Sequence, residues 1–113
     1  MVELLLRQIR MAGDICVEEQ ANLDEIDREY KSAKDLVSRV DREVEAFLRE
    51  QINTAYPDHD IIGEGGDDKI SGASHCWYID PIDGTTSYSM GQPYYSISVE
   101  VRKDKDLILT AVY

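Results

Sequence analysis

Apolar residues near the start of the chain recur at three- and four-residue intervals: Val2, Leu5, Leu6, Ile9, Ala12 and Cys16. That spacing predicts one face of an amphipathic helix, which Gly13 weakens without ending. From Glu18 to Glu29 there are six acids and one base, yet Leu23, Ile26 and Tyr30 keep the helical spacing. The segment reads as a solvated continuation of the helix rather than an acidic binding tail. Tyr30 to Asp35 reads as a polar loop. Ser38 is then placed to cap a second helix, with Asp41 three residues on in the role usually taken by glutamate. Val40, Val44, Phe47, Leu48 and Ile52 form its apolar face, and Tyr56-Pro57 stops it, because a residue before proline avoids the helical region.

Beyond Pro57 the period shortens. Ile61-Ile62-Gly63-Glu64 predicts a short strand ending in a glutamate and a Gly-Gly turn, and 65–74 is loop by composition. Cys76 to Ile79 predicts a buried strand stopping at an Asp-Gly turn, with one short helix over Gly84 to Met90. Tyr95, Ile97, Val99 and Val101 alternate with Ser96, Ser98 and Glu100, the pattern of a half-buried strand. Lys103 to Asp106 is a polar turn, and Leu107 to Tyr113 its partner strand. The expectation is an α+β fold in which two long helices pack on an antiparallel sheet, with residues 1–113 as a single unit.

Charge narrows the function classes. Twelve basic residues against twenty-three acidic ones give a net charge of −11 over 113 residues. Nucleic acid and anionic membranes call for a cationic surface, so neither is an expected partner. No apolar run reaches the length of a membrane span. The start, Met-Val-Glu-Leu-Leu-Leu-Arg, lacks a basic leader and does not read as a signal peptide. Cys16 and Cys76 both fall at core positions and form no Cys-x-x-Cys pair, so zinc is unsupported and a reducing, cytoplasmic setting is expected.

The acids themselves are the candidate chemistry. From Asp58 to Asp83 there are seven, with Lys69 the single lysine. Glu64, Asp80 and Asp83 sit at predicted strand ends. If the strands are neighbours, three carboxylates and the Ile82 carbonyl converge, and like charges that close need a cation to neutralise them. Hard oxygen donors suit Mg²⁺. Asp-Pro and Asp-Gly are also common turn dipeptides, so spacing alone leaves turn and metal site equally open. An EF-hand, a dinucleotide loop and a P-loop are all excluded by their missing ligands or glycines. His59 and His75 have no partners at ligand spacing.

Trp77-Tyr78-Ile79-Asp80-Pro81-Ile82-Asp83-Gly84-Thr85-Thr86-Ser87-Tyr88 resembles the signature of the inositol monophosphatase family, the lithium-sensitive, Mg²⁺-dependent sugar phosphatases. Asp35-Leu36-Val37-Ser38-Arg39-Val40-Asp41 and Ile61-Ile62-Gly63-Glu64 are similar to two further stretches of that family, in the same order. The resemblance runs over the whole chain but matches only the N-terminal portion of a member. It implies the first part of a layered αβαβα sugar-phosphatase fold, completed by a C-terminal portion beyond Tyr113.

The same resemblance implies a function: metal-assisted hydrolysis of inositol monophosphate or a related small phosphate monoester. Glu64, Asp80 and the Ile82 carbonyl would hold one Mg²⁺, and Asp80 with Asp83 would share a second. A third, weaker ion would lean on Glu64, where Gly65 stands in place of the family's usual second acid. By the same resemblance Mn²⁺ would be an alternative ion, and Ca²⁺ or Li⁺ would inhibit. Asp41 and Thr85 would orient and activate water, and Asp83, Gly84 and Thr85 would contact substrate. A homodimer is implied as well. The family's remaining ligand aspartate and its sugar-gripping residues belong to the C-terminal portion, so 1–113 alone is expected to be inactive. Gly-Thr-Thr is closer to the inositol monophosphatase branch than to fructose-1,6-bisphosphatases, although mixed-activity members stay open. The alternative of another class is a non-catalytic metal-binding or dimerisation module derived from the fold.

Overall fold

The computed structural model describes residues 1–22, 30–64, 68–90, 92, 94–104 and 106–113. Helix α1 spans Val2–Asn22 and helix α2 spans Tyr30–Ala55. Four strands follow: β1 (Asp60–Ile62), β2 (His75–Asp83), β3 (Ser96–Lys103) and β4 (Asp106–Val112), with the short helix α3 (Thr85–Ser89) between β2 and β3. They form one sheet in the order β1-β2-β3-β4. The antiparallel expectation needs one amendment: β2, β3 and β4 pair antiparallel, but β1 runs parallel to β2. The sheet is mixed because the chain returns from Gly63 to Ser74 to enter β2 in the direction of β1.

Both helices lie against the same side of the sheet. Leu5, Ile9, Ala12 and Cys16 from α1 meet Val40, Val44, Leu48 and Ile52 from α2 over Trp77, Ile79, Val99 and Val101. Burying an aliphatic side chain of this size contributes about 2 kcal/mol. The predicted faces therefore hold, with two residues at the rim: Val2 and Leu6 stay exposed. Cys16 is fully buried, and burial, followed by the nearby charges of Asp41 and Glu43, pushes its thiol up to about 12. Among the described residues no helix is long and apolar enough to cross a membrane.

Two predicted boundaries move. The polar loop expected over Tyr30 to Asp35 is instead the first part of α2, so Ser38 lies inside the helix and does not cap it. Lys31, Ala33 and Lys34 are good helix formers, and no glycine or proline interrupts the run up to the predicted cap. The expected continuation of α1 over 23–29 and the Gly65-Gly66 turn lie outside the described residues. Strand β2 also runs four residues further than predicted, to Asp83. Pairing with β3 slips between Asp80↔Ser98 and Asp83↔Ser96. That irregularity is where a strand tolerates a proline, here Pro81.

Candidate metal centre

Parallel pairing of β1 with β2 brings their C-terminal ends to one edge. Ile62 sits opposite Tyr78, so Glu64, two residues past Ile62, lies level with Asp80. Period-two alternation sends Trp77 and Ile79 into the core and Tyr78 and Asp80 to the opposite face. Asp41 on α2 comes within electrostatic reach of both Glu64 and Asp80. Glu64 is the wall shared by two clefts. One, about 220 Å³, is lined by Ser38, Asp41, Arg42, Glu45 and Glu64. The other, about 240 Å³, is lined by Ile62, Gly63, Glu64, Tyr78, Ile79, Asp80, Ser98 and Glu100.

The electrostatics show that these acids face one another. Burial raises the Asp80 carboxyl above the usual range, and the charge of Asp83 adds to it. Asp41 is raised by burial, then by Glu45 and Asp80. Glu64 is raised by burial, then by the charges of Asp80, Asp41 and Glu45. Burial and neighbouring negative charge thus disfavour the ionised form of all three acids, the charge at Asp80 coming from Asp83.

Of the remaining predicted residues, Ile82 buries its side chain in the core, which anchors the main chain between Asp80 and Asp83. Asp83 is exposed at the end of β2. Gly84 has φ +92°, and a β-carbon there would lie 2.8 Å from the Tyr94 carbonyl oxygen, so only glycine fits. Thr85 opens α3 at the surface. That helix is tied down by Tyr88, whose buried hydroxyl donates to the Cys16 carbonyl at 2.7 Å.

Do these residues suit a cation? The donors are oxygens, as Mg²⁺ prefers. Among the described residues, the Oδ1 atoms of Asp41 and Asp80 are buried with no hydrogen-bond partner, an arrangement that costs free energy unless something electropositive meets them. In the same set, no three His, Cys, Asp or Glu side chains form a group that could hold a metal ion. The donors fit a hard divalent ion in type and in their unmet charge, without forming a complete site.

Sequence reasoning missed Glu45. It is 6% exposed, and its Oε1 accepts the Glu64 amide at 2.7 Å. A signal was present: Asp41, Glu45 and Arg49 follow one another at four-residue steps, along one line of the helix.

The profile of the inositol monophosphatase family matches residues 2–113. The Nus factor SuhB of Pseudomonas aeruginosa is 38% identical over 102 residues, covering 88% of this chain and 38% of that protein. The fructose-1,6-bisphosphatase/inositol-1-monophosphatase of Aquifex aeolicus is 37% identical over 101 residues, covering 89% of this chain and 38% of its own length. The crystal structure of inositol monophosphatase-II from Staphylococcus aureus MSSA476 superposes with a TM-score of 0.80 at 28% identity, over 99% of this chain and 40% of that one. The chain thus spans about two fifths of the length of the relatives it matches. With its signature on β2 and its acids gathered at one sheet edge, this chain belongs to the inositol monophosphatase family.

Proposed function

We propose that residues 1–113 are the N-terminal, metal-binding part of a Mg²⁺-dependent phosphomonoesterase acting on inositol monophosphate or a related sugar phosphate. The observation that carries this is the pair of orphaned carboxylate oxygens, on Asp41 and Asp80, on either side of Glu64. Glu64, Asp80, Asp83 and the Ile82 carbonyl are the groups that would hold the ions. When bound, Mg²⁺ neutralises charge on a transferring phosphoryl group. Asp41, on α2, would take a proton from water, and the Thr85 hydroxyl would orient that water. The main-chain amides of Gly84 and Thr85 would hold phosphate oxygens. A further ligand from the remainder of the protein would complete the set.

The test is release of inorganic phosphate by the full-length protein from inositol 1-phosphate and fructose 1,6-bisphosphate, with and without Mg²⁺. Both substrates are needed because the Aquifex aeolicus relative is named for both activities. Activity should require Mg²⁺ and fall at least a thousandfold, about 4 kcal/mol of barrier, in Asp80→Asn and Asp83→Asn. Undiminished turnover in either variant would sink the assignment.

A second reading comes from the Pseudomonas aeruginosa and Vibrio cholerae relatives, both named Nus factor SuhB. On it, this protein serves as a Nus factor. The net charge of −11 points such a role toward a protein surface rather than bare nucleic acid. Replacement of the Pseudomonas aeruginosa Nus factor SuhB in cells by wild type and Asp80→Asn alike, with no phosphate released by either, would favour it.

A further inference from the structure

We infer that Glu45, Arg49 and Asp68 form a clamp that sets the position of Glu64, making Glu45 a positioning residue for the metal centre. The inference rests on the reading of Glu64 as a metal ligand. Its geometry is continuous. Glu45 Oε1 accepts the Glu64 N–H at 2.7 Å, and Arg49 Nε donates to Glu45 Oε2 at 3.2 Å. Arg49 Nη2 reaches Asp68 Oδ1 at 3.3 Å, and that same oxygen accepts the Gly63 N–H at 3.0 Å. The first two amides beyond β1 are therefore each held by a carboxylate, and one guanidinium joins the two acids.

Three features separate this from an ordinary surface ion pair. The side chains of Glu45 and Arg49 are only 7% and 13% exposed, and a buried pair of this kind costs desolvation that its own attraction rarely repays. Glu45 also adds negative charge beside Asp41 and Glu64, both of which it raises. Stability alone gives poor reason to place a further acid there. Lastly, Gly63 is shaped to the clamp: a β-carbon on it would lie 2.8 Å from the Glu45 carboxyl carbon and 2.9 Å from Arg49 Nη2. Both Glu45 oxygens are engaged by protein donors, so the residue acts through Glu64. Groups that orient a metal ligand in this way typically contribute about 10- to 100-fold in metal affinity.

The experiment uses the full-length protein, Mn²⁺ as the probe, calorimetric titration for affinity and amide hydrogen exchange at Glu64 without metal. Glu45→Ala should speed Glu64 exchange and weaken Mn²⁺ binding about tenfold or more. Glu45→Gln, which keeps an oxygen acceptor, should restore part of both. Gly63→Ala should weaken Mn²⁺ binding in the wild-type background and add little on top of Glu45→Ala, since the two changes disrupt the same contact. Unchanged Glu64 exchange in Glu45→Ala overturns the clamp. Equal loss of Mn²⁺ in Glu45→Gln and Glu45→Ala overturns it too, because charge rather than position would then be the contribution. Should Glu45→Ala not fold, Asp68→Asn reads the other half: faster Gly63 exchange supports the clamp and unchanged exchange overturns it. Wild-type protein that binds no Mn²⁺ removes the metal reading, while faster Glu64 exchange in Glu45→Ala would still establish the clamp.

Discussion

The indole N–H of Trp77 donates to Nδ1 of His59 across 2.9 Å. Indole nitrogen is only a donor, so Nδ1 must carry the lone pair and the ring proton sits on Nε2. His59 is also stacked between Tyr56 and His75, with ring centroids 4.6 and 4.4 Å away. Protonation would turn its Nδ1 into a second donor facing Trp77.

That arrangement predicts a pH-dependent stability. Burial first, then the neighbouring His75, lowers the His59 pKa from its ordinary value of 6.5, with Lys69 adding to the shift and Asp58 and Asp60 opposing it. The unfolded chain therefore takes up its proton at a higher pH than the folded one. The contribution is complete above about pH 6.5 and is lost as pH falls from there through the folded pKa. Urea unfolding at pH 8 and pH 5.5 should show wild type weaker at the lower pH. His59→Phe, which keeps a stacking ring but cannot titrate, should show a smaller difference between the two.

Asp60 makes a separate contribution at lower pH. Its carboxylate accepts the Ser71 hydroxyl at 2.6 Å and the amides of Ser71, Gly72 and Ala73 at 3.0 to 3.1 Å. The Ser71 hydroxyl first, then these amides, holds its pKa below the ordinary carboxylate range. The stabilisation is present above the unfolded value of about 3.9 and lost as pH falls through the folded one. Asp60→Asn should lower the thermal midpoint at pH 7 and flatten the acid limb of the stability curve. An unchanged midpoint at pH 7 would show that the loop over 70–73 does not depend on this anchor.

Gly84→Ala should destabilise the fold by about 1–3 kcal/mol, the usual range for a side chain forced into the left-handed region. The contact with the Tyr94 carbonyl oxygen adds to that cost. Denaturant titration measures it directly. A loss under half a kcal/mol would mean that the turn between β2 and α3 relaxes without penalty.

Asp80→Asn should have opposite effects with and without metal. Relieving the repulsion among Asp80, Asp83, Glu64 and Asp41 should raise the thermal midpoint of the metal-free protein. The same change should abolish the further rise that Mg²⁺ gives to wild type, since a ligand stabilises only the state it binds. Thermal scans of the full-length protein in EDTA and in excess Mg²⁺ separate the two. A variant that still gains stability from Mg²⁺ would place the ion elsewhere.

Much of this protein is legible in its sequence because its signals are local. The faces of α1 and α2 follow from apolar spacing, and Leu5, Ile9, Val44, Leu48 and Ile52 are all buried as that spacing requires. Alternation identifies β3, and the run from Trp77 to Tyr88 carries the family signature. The start of α2 is less legible, since its first residues are polar and only helix propensity, a weak signal, marks them.

What the sequence left undecided was whether the acids of β2 make a turn or a site, because local spacing serves both. Tertiary structure brings one of them, Asp80, within electrostatic reach of Glu64, just past β1, and of Asp41 on α2. Parallel pairing of Ile62 with Tyr78 brings Glu64 level with Asp80, and the packing of α2 on the sheet adds Asp41. Glu45, Arg49 and Asp68 became visible only there as well. A charged residue on a helix reads as solvent-facing until the loop that buries it is in place, and that loop is contributed by residues far along the chain.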